Sequence, residues 1–414
     1  MFCITLLITW CIVVGAQYEG DPCVENGVSG ICINIRKCVK ATEDFVLRRK
    51  HPQICGFDKF DSIVCCIDNV STSTQPLTPI TTTTIRPMQV VTTEKSPEIL
   101  DSDNSTEDSL ESDCPPIDAN LTSPKTGQKA WDKCLEYQEQ LVYPCERTNA
   151  LMNEVMERKT KCNMNADELI VGGQNASKNE FPHMALLGFG NEAFVIWSCG
   201  GTLISENFIL TAGHCIGHRD AGRVTYAYLG ALARNEVTDS SNRYEIKTIH
   251  KHPEYKSPST YHDIALLELD RRVLLDALTK PACLHTGDPI GDEQVWATGW
   301  GFTQDGGWSA ETLQKVQLNK FSTFDCLIHY APFREGTRGF DKDTQICYGH
   351  KSQAKDTCRG DSGGPLQIKH KKINCMWLVL GVTSFGKKCG SIGEPGIYTK
   401  VSHYVPWIES IVWP

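Results

Sequence analysis

Gly360-Asp361-Ser362-Gly363-Gly364-Pro365 is the stretch from which the rest of the chain can be read. A serine hydroxyl is a poor nucleophile and needs a base beside it. It also needs backbone N–H donors aimed at the oxyanion that develops on the attacked carbonyl, and flanking glycines let the chain bend tightly enough to present them. A glycine-rich turn with no chemistry would account for these residues taken alone. It does not account for two further stretches, Thr211-Ala212-Gly213-His214-Cys215 and His262-Asp263-Ile264-Ala265-Leu266-Leu267. Histidine can act as the base through one ring nitrogen, while an aspartate accepting from the other fixes the tautomer and stabilises the imidazolium.

Outward from these motifs, the chain from Ile170 onward alternates short β-branched runs with Gly, Pro and Asn turns. Phe208-Ile209-Leu210, Ile264-Ala265-Leu266-Leu267 and Leu378-Val379-Leu380-Gly381-Val382 are examples. That pattern predicts an all-β barrel or sandwich over about 245 residues. At the end, Val405, Ile408 and Val412 fall at helical spacing and predict a docking helix over Tyr404 to Trp413.

The remaining residues divide by composition. The 414-residue chain is 40% hydrophobic and 22% charged, which predicts mostly globular structure in two or three domains. Its net charge of −9 argues against nucleic acid as a partner, since phosphate binding needs clustered Lys and Arg. The runs Arg48-Arg49-Lys50 and His370-Lys371-Lys372 read as solvated surface. Residues 2–14 are almost wholly apolar and Val14-Gly15-Ala16 offers small residues for cleavage, so residues 1–16 read as a secretory signal peptide. The run is too short to span a bilayer comfortably, and no other stretch could span one; the expectation is secretion, with no membrane partner.

Twenty cysteines belong to an oxidising compartment. Loss of the signal removes Cys3 and Cys11 and leaves an even number. Residues 21–68 hold Cys23, Cys32, Cys38, Cys55, Cys65 and Cys66, and so short a stretch needs three bridges to be stable. Adjacent Cys65 and Cys66 must reach two different partners. Neither Cys-x-x-Cys nor a His cluster supports zinc. From residue 69 the chain becomes rich in Thr, Ser and Pro, then acidic, which reads as a flexible linker over 69–128. Residues 129–169 form a pre-activation segment with helix-like spacing over Ala130 to Lys161. Asn69, Asn104, Asn120 and Asn175 stand in Asn-x-Ser/Thr sequons for glycosylation.

The order His214, Asp263, Ser362 is that of chymotrypsin, and residues 170–414 resemble the chymotrypsin/trypsin family throughout. The resemblance implies two six-stranded β-barrels with the catalytic residues at their junction. It implies His214 as base then acid, Asp263 as its orienter, Ser362 as nucleophile, and the N–H groups of Gly360 and Ser362 as the oxyanion hole. It implies bridges Cys199–Cys215, Cys326–Cys347 and Cys358–Cys389. Asp356, six residues before Ser362, falls at the base of the primary pocket, and Ser384, Phe385, Gly386 and Gly396 fall along its walls. A buried carboxylate in an open slot selects Arg or Lys. Where many members carry one further bridge, this chain has Val295 and Ile368, so packing should replace it. Six cysteines, Cys114, Cys134, Cys145, Cys162, Cys283 and Cys375, then lack assigned partners. The economical arrangement ties two of the upstream four to Cys283 and Cys375 and pairs the other two.

Residues 21–68, ending in Ile54-Cys55-Gly56-Phe57 and Val64-Cys65-Cys66, resemble the clip domain of arthropod proteases. That resemblance implies bridges Cys23–Cys65, Cys32–Cys55 and Cys38–Cys66. The whole resembles clip-domain proteases of insect cascades, nearest the snake/Persephone-like (clip C) branch, which act in Toll signalling, melanisation or embryonic patterning. It implies a zymogen cut between Leu169 and Ile170, the new amino group pairing with Asp361. A protease of this specificity should reject Leu169, so the implied partners are an upstream protease preferring Leu, a downstream protease zymogen, and serpin inhibitors in haemolymph. No cofactor or metal is required; calcium in the loop between Ala231 and Tyr244 has no support in the sequence. Two other functions compete. A catalytically weak homologue acting as a binding cofactor is disfavoured by the intact His214, Asp263 and Ser362. A digestive trypsin would need neither the clip-like module nor the linker.

Overall fold

The computed structural model describes residues 19–38, 40–41, 52–58, 61–67, 114–150, 153–162 and 174–414, the last without 238–239, 277, 292–294, 303–307, 354–356, 359 and 388–390. The signal peptide, Asn69, Asn104, Leu169, Ile170, Asp356 and Cys389 therefore lie outside the described residues. The chain divides into two units, Met1–Ser112 and Asp113–Pro414.

In the first unit, strands β1 (Pro22–Glu25), β2 (Val28–Asn34), β3 (Ile54–Asp58) and β4 (Asp61–Cys66) form an antiparallel sheet in the order β1-β2-β4-β3. Side chains alternate across a strand, so Ile63 and Cys65 join Cys23 and Cys32 in one small core. Val64 and Cys66 join Cys38 and Ala41 in the other. This alternation is why the adjacent cysteines take different partners: Cys65 bonds Cys23, Cys66 bonds Cys38, and Cys32 bonds Cys55.

The second unit carries two closed six-stranded barrels. Strands β8 (Met184–Asn191), β9 (Phe194–Leu203), β10 (Phe208–Thr211), β12 (Gly222–Leu229), β13 (Arg243–Lys251) and β14 (Ala265–Leu269) form the first, sealed by the β12–β8 pairing. Strands β16 (Val295–Gly299), β17 (Gln314–Lys320), β18 (Gln345–Gly349), β19 (Pro365–Lys369), β20 (Trp377–Phe385) and β21 (Gly396–Lys400) form the second, sealed by β20–β21. Three short strands are appended: β7 (Gln174–Asn175) on β17, β11 (Gly217–His218) on β12, and β15 (Cys283–Leu284) parallel to β20. Val295 and Ile368 are buried in one cluster with Leu318, Tyr348 and Tyr398, so packing occupies the place of the missing bridge. A short helix α2 (Thr323–His329) is closed by a capping box, Ser322 and Asp325 bonding each other's backbone N–H. The C-terminal helix α3 runs Val401–Val412, starting before the expected Tyr404, and buries Val401, Tyr404, Val405, Ile408 and Val412.

The segment upstream of the barrels departs from expectation in two ways. Composition assigned residues 114–128 to the linker, yet Ile117 and Leu121 pack on a buried cluster, and Leu121 O accepts from Asn374 N–H and the Gln138 amide. A few apolar residues anchored by a cysteine suffice to order a polar stretch. The helix expected over Ala130 to Lys161 ends at Leu141 as α1 (Lys129–Leu141), and a hairpin follows, β5 (Cys145–Ala150) against β6 (Asn153–Arg158). Helix α1 buries Ala130, Cys134, Leu135, Tyr137 and Gln138. The bridges are Cys114–Cys145 within the segment, and Cys134–Cys283 and Cys162–Cys375 to the barrel unit.

Candidate active site

Strands β10 and β14 pair antiparallel with Thr211 opposite Ala265. The chain leaving β10 and the chain entering β14 are therefore neighbours, which is what brings His214 to Asp263 across 49 residues. His214 sits on a short 3₁₀ turn, Gly213–Ile216, and the next residue, Cys215, is bonded to Cys199 on β9. Its Nδ1 lies 2.7 Å from Asp263 Oδ2, and its backbone N–H donates to Asp263 Oδ1 at 2.8 Å. Asp263 is almost wholly buried, and the second barrel completes its surroundings. Ser384 Oγ on β20 donates to Oδ2 at 2.6 Å, and Thr399 Oγ1 on β21 donates to the Asp263 carbonyl at 2.8 Å. Desolvation pulls the His214 pKa down, but the attraction of the Asp263 carboxylate and the hydrogen bond to it outweigh this and hold it above its ordinary value.

Ser362 lies in the turn between the 354–360 stretch and β19. Gly363 N–H donates to Thr383 O at 2.9 Å, Gly364 N–H to Asp361 O at 3.0 Å, and Ser362 O accepts from Gly200 N–H at 2.7 Å. The turn needs its glycines. Gly360 and Gly363 have φ of +97° and +78°, in the left-handed region. A Cβ on Gly363 would run into Thr211 Oγ1 and Gly200 O, so the turn is pressed against the end of β10, the strand that leads to His214. The N–H groups of Gly360 and Ser362 have no acceptor among the described residues.

The Asp361 carboxylate is turned onto the backbone of Gly301 and Cys358. Its Oδ1 accepts from Gly301 N–H and its Oδ2 from Cys358 N–H, both at 2.8 Å. Burial raises its pKa from the ordinary 3.8 to about 6, against the lowering effect of these two donors. A side chain on Gly299 would collide with the carboxylate. Among the described residues no cationic side chain meets it.

Of the expected pocket residues, Ser384, Phe385 and Gly386 lie at the end of β20, and Gly396 begins β21, with Phe385 opposite Ile397. Phe385 stacks on Phe333 at 5.1 Å and meets Tyr330 at 6.2 Å, an aromatic shelf that the sequence did not signal, because it joins a loop to a strand 52 residues away. Sequence reasoning gave Ser384 to the pocket wall; the structure also sets its hydroxyl on Asp263. It missed Thr399, Thr211 and Gly200, whose parts depend on pairings no local motif encodes. Cys326 bonds Cys347, and Cys358 is disulfide-bonded. In the 231–244 loop, Glu236 Oε2 is engaged by Leu232 N–H, and no metal-holding group of ligands occurs there among the described residues. Also among the described residues, no helix is long and apolar enough to cross a membrane.

Residues 170–408 match the Trypsin family. The chain is 39% identical over 252 residues to Serine protease snk of Drosophila melanogaster, covering 59% of this chain and 57% of that one. It is 31% identical over 251 residues to Serine protease Hayan of the same fly, covering 59% of this chain and 39% of the relative. Against CLIP domain-containing serine protease B4 of Anopheles gambiae it is 31% identical over 303 residues, 68% of this chain and 81% of that protein. The chain thus spans little more than half the length of the first relative and about two fifths of the second. With the barrels closed as described and His214 set on a buried Asp263, these matches establish that the chain belongs to the trypsin family, as a clip-domain serine protease.

Proposed function

We propose that this chain is a secreted serine endopeptidase zymogen of an extracellular immune or developmental cascade, which is activated by cleavage between Leu169 and Ile170 and then cuts a downstream protease zymogen after Arg or Lys. The observation that carries the catalytic part is the hydrogen-bonded line Ser384–Asp263–His214, with donors from both barrels holding one buried carboxylate against one imidazole. In this reading His214 takes the proton of Ser362 Oγ as that oxygen attacks the scissile carbonyl. The imidazolium formed is stabilised by Asp263 and returns its proton to the leaving amine. The N–H groups of Gly360 and Ser362 receive the oxyanion.

Asp361 supports the activation step. A desolvated carboxylate that meets, among the described residues, two backbone N–H groups and no cation is costly, and an ammonium brought beside it would be strongly attracted. Cleavage before Ile170 supplies that ammonium. Asp356 gives the active form its preference for Arg and Lys, with the walls at Ser384, Gly386 and Gly396 leaving room for a long side chain. The same pocket rejects Leu169, so the activator is a different protease with a preference for Leu. The relationship to Serine protease snk and Serine protease Hayan supports the cascade role and the snake-like branch. Secretion, N-glycans on exposed Asn120 and Asn175, and control by serpins complete the reading.

The test is a labelled fluorophosphonate applied to protein cut at Leu169–Ile170. We expect labelling of the cut form alone, and none in Ser362→Ala. Equal labelling of the uncut chain would exclude the activation step, and no labelling of the cut form would leave the binding-cofactor reading.

A further inference from the structure

Between the end of β13 and the start of β14 lies a side-chain cluster that proteolysis does not use. A ring nitrogen of His252, a ring nitrogen of His262 and a carboxylate oxygen of Glu254 all lie within 4.8 Å of one another. His262 Nε2 faces Glu254 Oε2 at 3.5 Å, and Nδ1 on the other side of the ring is 3.0 Å from the Tyr404 hydroxyl. The His252 ring is buried, stacked on His262 at 5.3 Å and walled by Tyr404 and Trp407. The Glu254 side chain is 70% exposed.

We propose that His252, Glu254 and His262 bind a divalent cation of the zinc class, and that the bound ion slows turnover by shifting His262 and with it Asp263. Two imidazoles and one carboxylate, with the fourth position left to water, is a donor set that zinc accepts and that calcium or magnesium, which take oxygen shells, does not. A tetrahedral ion about 2.0–2.2 Å from each ligand spaces the ligand atoms about 3.4 Å apart, so the set closes by about an ångström on binding. Exposed Glu254 can make that move, while one histidine tilts out of the stack. The Tyr404 hydroxyl already serves as the outer partner that metal-bound histidines use to fix their tautomer. Metal binding requires the tautomer in which Nδ1–H donates to Tyr404 Oη, which leaves the Nε2 lone pair free for the ion.

The link to catalysis is one peptide bond long. His262 holds a φ of +54°, a left-handed conformation that a non-glycine residue adopts only when its surroundings hold it there. The next residue is Asp263, whose Oδ2 sits 2.7 Å from His214 Nδ1. Pulling His262 toward Glu254 therefore changes the placement of the carboxylate that orients the base. The regulatory half of the proposal rests on the catalytic reading above; the binding half does not.

Zinc binding is measured by calorimetry on cut enzyme whose Ser362 has been blocked by fluorophosphonate, with calcium and magnesium run in parallel. One zinc per chain is expected, and no calcium or magnesium. Glu254→Gln should weaken zinc at least tenfold, and Tyr404→Phe by 10–100-fold as an outer-shell partner. In unblocked enzyme, zinc should lower kcat with little change in KM. Glu254→Gln, with the same turnover as the parent without metal, should resist zinc by the factor of its lost affinity. Equal zinc binding by the parent and Glu254→Gln overturns the site. Zinc binding that depends on Glu254 but leaves kcat unchanged overturns the regulatory half alone.

Discussion

Two aspartates beside the active-site turn are held in opposite ways. Asp263 receives three hydrogen bonds through its carboxylate, from His214 N–H, His214 Nδ1 and Ser384 Oγ. Removing one donor by Ser384→Ala leaves Oδ2 short of a partner, and a hydrogen bond to a charged group is worth about 1.5–3 kcal/mol. We expect kcat to fall by roughly 10–100-fold with the triad intact, as read by steady-state kinetics on an Arg-ended peptide. Asp361 receives only two backbone donors, and its pKa rises from 3.8 to about 6. A raised carboxyl pKa means that the folded, uncut chain binds this proton more tightly than the unfolded one. The stability it confers is present below pH 4 and is lost as pH rises through 6. At about 1.4 kcal/mol per pKa unit the loss approaches about 3 kcal/mol. Asp361→Asn in the uncut chain removes the titration. Its stability relative to the parent should therefore rise by about that amount between pH 4 and pH 7, measured by urea unfolding at each pH. A flat difference would show that the carboxyl titrates normally. In the primary pocket, Asp356→Ser should cost the preference for Arg and Lys roughly 3–5 kcal/mol by analogy with broken buried ion pairs; kcat/KM on Arg and Leu substrates is the measure.

At the scale of elements, helix α1 is bound to the barrel unit by more than its cysteine. Its first turn receives Glu409 from α3, whose Oε1 accepts from Ala130 N–H at 2.8 Å, an anion placed where the helix dipole favours it. Tyr137 Oη donates to Glu206 Oε2 at 2.7 Å, and burial pushes the tyrosine pKa up, so it stays a neutral donor. Tyr137→Phe should destabilise the protease unit by about 1.5–3 kcal/mol in a denaturant titration. The two bridges make the attachment redundant. After cleavage at Leu169–Ile170, a chain lacking Cys134–Cys283 through paired serine substitutions should still run as one species on a non-reducing gel. A chain lacking Cys162–Cys375 as well should separate into two. Separation on loss of the first pair alone would mean that the second bridge does not form.

At the scale of the whole molecule, the stapled sheet of the first unit and the barrel unit each possess a closed core and their own disulfides, and among the described residues no bridge joins them. Each should therefore unfold on its own. A chain beginning at Asp113 should keep the melting temperature of the protease unit and, once cut, its turnover of small peptides, within error. Loss of either would show that the first unit contributes to the stability or the site of the second.

The amino-acid sequence by itself determined the chemistry and the class of fold. The glycines around Ser362, the motifs around His214 and Asp263, and the short β-branched runs between turn residues are local facts. Each is dictated by the reach of a hydroxyl, the two nitrogens of an imidazole or the preference of β-branched side chains for strands between turns. Adjacent Cys65 and Cys66 likewise require two different partners whatever fold surrounds them. Only the tertiary structure decided what depends on strands meeting from far apart in the chain. The register of Thr211 against Ala265 sets His214 on Asp263, and β20 and β21 bring Ser384 and Thr399 to the same carboxylate. It also decided where the linker stops. Composition reads residues 114–128 as solvated because few of them are apolar, yet packing Ile117 and Leu121 against the buried cluster beside a bridged helix is enough to order them. Burial is a property of neighbours, and part of this cluster lies more than 150 residues away in the sequence, at Cys283, Ile373, Cys375 and Met376.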